Sequence, residues 1–311
     1  VRRLCRVLRR FHHSQFSARE IARAKQGSSV GVCVMAGRSC PDLERVLRSL
    51  EEVRELGLID VIVVVGSDRT AAGEATAADH GMAWVDEAAL LADVGPVLGK
   101  GDAMWRALSL LDTDLVVFCD GDNEDFPAHF ACGLLGPLLG PEPARFVKAT
   151  YARQFTAETG ADPAGGGRVT ELLARPLLEA FFPGAGELRQ PLGGEIAAPR
   201  ELLRSLPFMT GYAVEAVMLI DVIEREGIGA VAEVDLGTRG NDHQSLAQLG
   251  GMAREIVLGI GSRLPRKPPG HDAIAAELRD AGRVILERPP LDELAAFREP
   301  AAGSARLGHS V

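Results

Sequence analysis

Residues 115–122 read Leu-Val-Val-Phe-Cys-Asp-Gly-Asp, an unbroken apolar run that ends in two carboxylates separated by one glycine. Such a run is typical of a strand covered on both faces of a parallel sheet, and open sheets bind ligands at the carboxyl ends of their strands. Asp120 and Asp122 are therefore predicted to face a ligand, and Gly121 allows a sharp turn that points both toward one cavity. Hard cations such as Mg²⁺ and Mn²⁺ prefer carboxylates and complete their shell with water and phosphate oxygens. The run predicts a metal and phosphate site, and an acidic turn is the alternative.

The first 125 residues alternate between predicted strands and helices. Apolar runs predict strands over 29–36, 59–65 and 82–85 and helices over 42–56, 71–80 and 101–111. This alternation predicts βαβ units and an α/β fold around a mostly parallel central sheet with flanking helices. Further helices are predicted over 130–139, 169–182, 200–205, 213–226, 247–264 and 272–281, with strands over 146–150 and 230–234. Residues 1–28 are predicted to be a surface helix or mobile arm, and 265–311 an extension that is mobile or serves as a dimer arm.

The composition excludes several classes of protein. Of the 311 residues 46% are hydrophobic, and the net charge of -9 argues against a basic surface for nucleic acid. No run of about 18 apolar residues occurs, so no membrane insertion is predicted. Five cysteines, odd in number and without a CxxC pair, favour reduced thiols in a cytoplasmic protein.

Two glycine-rich segments are candidates for binding an anion. Lys100 lies between two glycines at a predicted helix start, where backbone N–H groups add to the attraction for a phosphate. The spacing is not that of a Walker A loop, and a solvated lysine beside a turn is the alternative. In residues 165–170, three glycines precede Arg168 and Thr170, which supply a bidentate donor and a hydroxyl at a helix start. A flexible loop that merely starts a helix is the alternative there.

Two further segments carry charged side chains that could act in a site. Glu215 begins an otherwise apolar helix, where an acid is either a partner of the helix dipole or a functional carboxylate. Residues 239–243 read Arg-Gly-Asn-Asp-His and place groups that bind metals or anions in a glycine-containing turn. His243 follows a predicted strand that could end at the same edge of the sheet as Asp122.

Together these residues resemble the glucosyl-3-phosphoglycerate synthases, retaining GT-A glycosyltransferases that transfer glucose from UDP-glucose to 3-phosphoglycerate. The resemblance covers about residues 29–264 and a further stretch at 287–290. The segments that carry it, in the family's order and spacing, are the glycine-flanked Lys100, the pair Asp120 and Asp122, and residues 146–151, 165–178, 190–195 and 211–221. The resemblance implies a GT-A (Rossmann-like) nucleotide-sugar-binding fold, with a donor-binding half over 29–125 and an acceptor-binding half over 126–264. It also implies a homodimer.

The resemblance implies roles for individual residues. Catalytic roles are implied for Glu215, which would face the transferred sugar, and for Asp122 and Lys100. Donor binding is implied for Ala36, Gly37, Ser67, Lys100, Asp120, Gly121 and Asp122. Binding of a small phosphorylated acceptor is implied for Arg153, Gly167, Arg168, Thr170, Asn241 and His243. A Mg²⁺ or Mn²⁺ cofactor is implied at Asp122, Asp120 and His243.

Two segments depart from the family's pattern. After its first strand the family has Pro-Ala-Leu-Asn-Glu-Glu, whereas residues 35–40 here read Met-Ala-Gly-Arg-Ser-Cys and contain no acid. This departure bears on recognition of the nucleotide base. The family's metal histidine lies in an Arg-Ala-His-Arg-Asn segment, whereas Asn241 occupies its place here and His243 follows two residues later. Either His243 has taken over the ligand role, or Asn241 or water completes the shell.

Three functions are consistent with these residues. The first is a retaining, metal-dependent transfer of a hexose from a nucleotide diphosphate sugar to 3-phosphoglycerate or a similar small acid. The second is a related glycosyltransferase with a different donor, or with a nucleoside or sugar as acceptor. The third is a catalytically silent protein that binds a nucleotide sugar. A dinucleotide-dependent dehydrogenase fits poorly, because no Gly-x-Gly-x-x-Gly follows the first strand.

Overall fold

The computed structural model describes residues 7–37, 40–67, 71–123, 127–153, 155–157, 160–162, 167–239 and 245–294. The strands are β1 (Arg9–His12), β2 (Val30–Ala36), β3 (Val61–Gly66), β4 (Ala83–Asp86), β5 (Leu115–Asp120), β6 (Phe146–Arg153), β7 (Phe155–Ala157), β8 (Gly160–Asp162), β9 (Ile196–Pro199), β10 (Phe208–Met209), β11 (Val231–Arg239) and β12 (Glu287–Arg288). The α-helices are α1 (Ala18–Ala24), α2 (Leu43–Glu55), α3 (Ala71–Asp79), α4 (Lys100–Ala107), α5 (His129–Leu139), α6 (Arg175–Phe181), α7 (Pro183–Gly186), α8 (Arg200–Arg204), α9 (Val214–Glu226), α10 (Leu246–Ser262) and α11 (His271–Asp280). A π-helical turn, Thr170–Ala174, precedes α6.

The central sheet has the strand order β1-β11-β6-β9-β5-β2-β3-β4. Its described neighbours pair in parallel, except that β9 runs antiparallel between β6 and β5. The predicted mostly parallel sheet with flanking helices is therefore confirmed. Because β9 runs in the opposite direction, it begins at the edge where β5, β6 and β11 end. Residues just before β9 can thus join side chains from those strand ends.

Apolar layers on the two faces of the sheet form the core. On one face, α2 buries Leu43, Val46 and Leu47, whose spacing places them on a single side of the helix. On the other face, Trp105 of α4 and Leu219 of α9 are among the fully buried side chains. The central strand β5 contributes to both layers, as its unbroken apolar run predicts.

The N-terminal segment differs from its prediction. The sequence predicts an arm or surface helix over 1–28, but Arg9–His12 form an edge strand that pairs in parallel with β11. Exposure alternates along the strand, with Arg10 and His12 more exposed than Arg9 and Phe11, as in a strand with one covered face. A helix does follow, because Ser17 caps α1 by accepting from the Glu20 N–H.

The predicted C-terminal extension also returns to the domain. Its strand β12 pairs antiparallel with β10, and α11 packs against α10. Residues 265–294 are therefore part of the folded unit, whereas 295–311 lie outside the described residues. Among the helices in the described ranges, none is both long enough and apolar enough to cross a membrane. Cys33, Cys40, Cys119 and Cys132 are free thiols.

Candidate active site

The carboxyl ends of β2, β3 and β5 meet at one edge of the sheet. Ala36 of β2 pairs with Gly66 of β3, and Met35 pairs with Asp120 of β5. The Gly121 N–H donates to the Met35 carbonyl at 2.9 Å, so the chain turns directly after Asp120. The predicted donor-binding residues of these three strands lie together here: Ala36, Gly37, Ser67, Asp120, Gly121 and Asp122.

Lys100 links the first acid of the pair to Glu215. Its Nζ lies 2.8 Å from Oδ1 of Asp120 and 2.9 Å from Oε1 of Glu215. Lys100 is the first residue of α4 and Glu215 lies in the first turn of α9, so two helix starts meet over the end of β5. Burial acts to lower the pKa of Lys100, but the two carboxylates outweigh it and hold the pKa well above its usual range. Lys100 is therefore a fixed cation at neutral pH.

Arg239, at the end of β11, faces both acids of the pair. Its Nη2 lies 3.7 Å from Oδ2 of Asp120 and 3.3 Å from Oδ1 of Asp122. Its Nη1 donates to the Tyr151 hydroxyl at 2.9 Å and to Oε1 of Glu195 at 2.5 Å. The Tyr151 hydroxyl in turn donates to Oε2 of Glu195 at 2.8 Å. Because Glu195 is fully buried and Arg239 nearly so, this network fixes the guanidinium against the acids.

Gly194, just before β9, lies against Lys100 and Asp120. A Cβ atom added there would lie 2.5 Å from Nζ of Lys100 and 2.5 Å from Oδ2 of Asp120. Both distances are far below ordinary van der Waals contact, so a side chain at this position would have to displace the ammonium or the carboxylate of the pair. The loop before β9 therefore shapes the site as well as supplying Glu195.

The site holds one more carboxylate than it holds cations. Its acids are Asp120, Asp122, Glu195 and Glu215, and its basic side chains are Lys100, Arg239 and the buried Lys148. Asp122 lies at the rim with 65% of its side chain exposed. Desolvation by surrounding protein atoms and the negative charge of Asp120 nevertheless raise the pKa of Asp122. The positive charges of Arg239 and Lys100 oppose this shift without cancelling it. Hard carboxylates at a site with an excess of negative charge fit Mg²⁺ or Mn²⁺, and Asp120 and Asp122 are the residues that could hold it.

A buried ion-pair network fixes α4 from behind. Asp102 is completely buried and accepts from Nε and Nη2 of Arg288, both at 2.9 Å, and from Nε of Arg106 at 3.4 Å. Arg106 also donates to the carbonyls of Leu90 and Gly95, each at 2.6 Å, which orders the loop before the helix. Arg288 belongs to the 287–290 stretch of the sequence resemblance, and the structure places it behind the helix that begins with Lys100.

A second buried acid fixes the start of α9. Gly211 has a φ of +69° and its N–H donates to the Leu98 carbonyl at 3.0 Å. Glu255 accepts from the Tyr212 N–H at 2.7 Å and pairs with Arg283 at 2.5 Å. Burial raises the pKa of Glu255. The hydrogen bond from the Tyr212 N–H and the charge of Arg283 lower it, but burial is the larger effect. Residues 283–288 thus hold the helices that carry both Lys100 and Glu215.

The predicted acceptor residues are described in part. Gly167 has a φ of +75°, and Arg168 and the buried Thr170 follow it at the predicted helix start. The π-helical turn there packs against α10, which also packs against the turn leading to Glu215. The backbone of Arg153 ends β6 beside Arg239, its register partner on β11. The two candidates for a third metal ligand, Asn241 and His243, lie outside the described residues.

Two residues without a role predicted from the sequence, Glu195 and Lys148, complete the site. Arg239 joins them, and the sequence placed it only in a segment of groups that bind metals or anions. Lys148 lies between apolar residues of β6, Glu195 directly precedes the apolar β9, and Arg239 ends β11. A buried charge in such a place is rare unless it is paired, which is a usable signal. The partners cannot be identified from sequence, because they come from distant segments.

Two proteins illustrate the similarity to known sequences. No protein-family profile matches the chain. The chain is 39% identical over 256 residues to glucosyl-3-phosphoglycerate synthase of Mycobacterium tuberculosis, a match that covers 81% of this chain and 79% of that protein. It is 33% identical over 316 residues to the Petrotoga mobilis enzyme of the same name, covering 94% of this chain and 95% of that protein.

Solved structures share the fold. A mannosyl-3-phosphoglycerate synthase from Rubrobacter xylanophilus matches with a TM-score of 0.80 and 36% identity, covering 92% of this chain and 97% of that one. Glucosyl-3-phosphoglycerate synthase of M. tuberculosis in complex with Mn²⁺, UDP-glucose and phosphoglyceric acid matches with a TM-score of 0.78 and 34% identity, covering 92% and 98%.

The sheet, its edge of acids and cations, and these similarities define a glycosyltransferase with a GT-A fold. The chain belongs to the glucosyl-3-phosphoglycerate synthase family. The resemblance, fold and enzyme class predicted from the sequence are thereby confirmed. The interpretation as a catalytically silent binding protein is set aside.

Proposed function

We propose that this protein transfers a hexose from a nucleotide diphosphate sugar to 3-phosphoglycerate or a similar small phosphorylated acid. The observation that carries the proposal is the bridge of Lys100 between Asp120 and Glu215 at the edge of the sheet, at 2.8 and 2.9 Å. The M. tuberculosis relative, solved with UDP-glucose and phosphoglyceric acid, supports UDP-glucose as the donor and 3-phosphoglycerate as the acceptor.

The donor's diphosphate is proposed to lie over Asp120 and Asp122. A Mg²⁺ or Mn²⁺ ion held by these acids would supply charge stabilisation for the leaving diphosphate, and relatives have been solved with either metal. Lys100 and Arg239 add fixed positive charge at the same edge, where charge develops as the sugar departs. Ala36, Gly37 and Ser67 line the neighbouring strand ends and are proposed to contact the nucleoside.

Glu215 is proposed to face the transferred sugar. It is 6% exposed, and its pairing with Lys100 at 2.9 Å orients its carboxylate, whose oxygens can accept hydrogen bonds from sugar hydroxyls. We expect retention of configuration, with the leaving diphosphate helping to deprotonate the acceptor hydroxyl on the same face of the sugar.

The acceptor's phosphate and carboxylate are proposed to bind at Gly167, Arg168 and Thr170. The left-handed backbone of Gly167 precedes a helical turn whose free N–H groups attract an anion, and Arg168 and Thr170 supply a guanidinium and a hydroxyl. Arg153, Asn241 and His243 are proposed to add contacts to the acceptor, His243 also being a candidate metal ligand beside Asn241.

The proposal is tested by incubating the protein with UDP-glucose, Mn²⁺ or Mg²⁺ and 3-phosphoglycerate. We expect UDP release that depends on both metal and acceptor, and a glycosylated product whose anomeric proton in the NMR spectrum shows retained configuration. Omission of each component in turn is the control. If the acceptor does not accelerate UDP release with any nucleotide sugar, the proposed acceptor is wrong.

A mannosyl donor is a second candidate. It is favoured by the similarity to a mannosyl-3-phosphoglycerate synthase and by residues 35–40, which lack the family's acid next to the base. A thermal-shift panel of nucleotide diphosphate sugars separates the donors, because the preferred one raises the unfolding temperature most by mass action. A response to UDP-glucose alone would contradict the mannosyl candidate.

Substitution of Gly194 by alanine is expected to lower kcat by about 10²-fold, since a shift of roughly 1 Å at reacting groups has that effect. The added methyl group would lie 2.5 Å from Nζ of Lys100 and 2.5 Å from Oδ2 of Asp120, and would therefore push the two side chains apart. Gly270→Ala is the matched control, because a Cβ there meets nothing within 4 Å. Steady-state kinetics of both variants checks the prediction, which equal kcat values would contradict.

The assembly and surroundings of the protein remain predictions from the sequence. The protein is proposed to form a homodimer, to be located in the cytoplasm, and to bind neither nucleic acid nor a membrane. Sedimentation velocity of the full chain checks the dimer, and a monomer over the whole concentration range would contradict it.

A further inference from the structure

Lys148 is a buried cation that the mechanism does not use. It lies in β6, is fully buried, and donates from Nζ to the carbonyl of Gly193. Within the described part of the chain this is the only polar contact of its ammonium group. Its register partner on β11, Glu233, is already bound by the Arg189 N–H at 2.6 Å and by Arg10.

The charge of Lys148 opposes folding at neutral pH. Burial lowers the pKa of Lys148 to about 8, against the attraction of Glu215, Glu195 and Asp120 and with added repulsion from Lys100. An unfolded chain keeps its lysines protonated up to a pKa of about 10.4. The unfolded state therefore binds the proton more tightly than the folded state, so a charged Lys148 reduces the stability of the fold. Stability alone gives no reason for an ammonium group at this position.

The contact of Lys148 leads directly to the reacting edge of the sheet. The carbonyl that it holds belongs to Gly193, and the next residue, Gly194, lies against Lys100 and Asp120. The same turn is tied to β6 by the Gln190 side chain, whose Nε2 donates to the Tyr151 carbonyl at 2.7 Å. A displacement of this turn would therefore displace the Lys100–Asp120 pair.

We propose that Lys148 is a positioning residue whose charged ammonium holds the 193–194 turn beneath the Lys100–Asp120 pair, so that the site is assembled only while Lys148 is protonated. The activity that it supports is the proposed sugar transfer. Lys148 is fully buried and touches no substrate; it acts through the turn and through its charge beside Glu195 and Glu215.

This role gives a signed dependence on pH. Lys148 is charged below a pKa of about 8 and neutral above it, so turnover should fall as the pH rises through that value. The groups that face it from neighbouring elements are Glu215, Lys100, Glu195, Asp120 and Glu233. The pKa of Lys100, the other lysine among these groups, is held well above its usual range, so Lys100 does not produce an inflection near pH 8.

The test compares Lys148→Met and Lys148→Gln with the wild type. Methionine removes the charge and the donor, whereas glutamine keeps an N–H donor for Gly193 without a charge. Lys25→Met is the matched control, because Lys25 is also buried but lies at the end of α1 and pairs at 2.5 Å with Asp60, which precedes β3. Three quantities are measured at pH values on both sides of 8: the unfolding temperature, kcat and KM with UDP-glucose and 3-phosphoglycerate, and calorimetric binding of UDP with Mn²⁺.

We expect Lys148→Met to keep or raise the unfolding temperature while kcat/KM falls by about 10²-fold, as for a small misplacement of reacting groups. Its alkaline inflection near pH 8 should be absent, and Lys25→Met should keep the wild-type pH profile. The proposal is overturned if Lys148→Met keeps the inflection, or if its unfolding temperature and activity fall together with an unchanged profile. Wild-type activity in Lys148→Gln would also overturn it, because a hydrogen bond without charge would then suffice.

The two proposals can fail separately. A wild type that turns over no nucleotide sugar would contradict the proposed function. UDP binding with Mn²⁺ would still report on Lys148, and it should weaken above pH 8 in the wild type but not in Lys148→Met. Binding that depends on pH equally in both proteins would contradict the positioning role.

Discussion

Replacing Asp122 with asparagine is expected to lower kcat/KM by at least about 10²-fold, the loss typical when one group that stabilises developing charge is removed. Asparagine keeps the shape of the side chain but removes the charge that would hold a hard cation. Because 65% of this side chain is exposed, the free energy of unfolding should change by less than about 0.5 kcal/mol. The concentration of Mg²⁺ or Mn²⁺ needed for half-maximal activity should rise.

Metal titrations of turnover and of UDP binding measure this effect. Asp112→Asn is the matched control, since Asp112 precedes the opposite end of β5 and pairs with Arg200 at 3.1 Å. The pKa of Asp122 is raised, so its charged form is lost on acidification sooner than for an ordinary aspartate. Metal binding by the wild type should weaken in the same pH range. An unchanged metal dependence in Asp122→Asn would assign the metal to other ligands.

Replacing Arg288 with methionine is expected to lower the free energy of unfolding by about 3 to 5 kcal/mol, the cost of removing one partner of a buried ion pair. The fully buried Asp102 would lose two hydrogen bonds of 2.9 Å and keep those from the Leu98 N–H at 2.8 Å and from Arg106 at 3.4 Å. The loop before α4 would also lose the bond from Arg288 to the Val94 carbonyl at 3.2 Å. Lys100 begins this helix, so turnover should fall even at temperatures where the variant stays folded.

Denaturant unfolding of Arg288→Met and Arg254→Met measures the difference. Arg254 pairs with Glu277 at 3.2 Å, with 51% and 65% of the two side chains exposed. Removing such an exposed pair should cost less than about 1 kcal/mol. If both variants lose the same free energy of unfolding, residues 283–288 do not stabilise α4.

The elements that could be predicted from the sequence are those with strong local patterns. The run at 115–120 is apolar throughout because β5 is covered on both faces, and α2 repeats its apolar residues every three or four positions because one face is buried. Four site residues could also be predicted from the sequence, because each lies at the start or end of such an element: Lys100, Asp120, Asp122 and Glu215. The structure brings these four within one cluster of contacts.

Short elements that depend on distant partners could not be predicted. Strand β9 reads Ile-Ala-Ala-Pro, which has weak strand propensity, and it forms because β5 and β6 offer unpaired edges on either side. Strand β1 contains three charged or polar residues in four and is ordered by its pairing with β11. Strand β12 has two residues and pairs with β10, about eighty positions earlier.

The sequence by itself determined the class of fold, the acid pair at the end of β5 and the family to which the chain belongs. These follow from hydrophobic period and from motifs that are contiguous in the chain. Only the tertiary structure decided which charges meet: Glu195 and Tyr151 behind Arg239, Arg288 behind Asp102, and Lys148 beneath the loop before β9. The physical reason is that a buried charge is tolerated only when it is paired. Its partner can come from any segment of the chain that the fold brings next to it, so the sequence alone does not identify that partner.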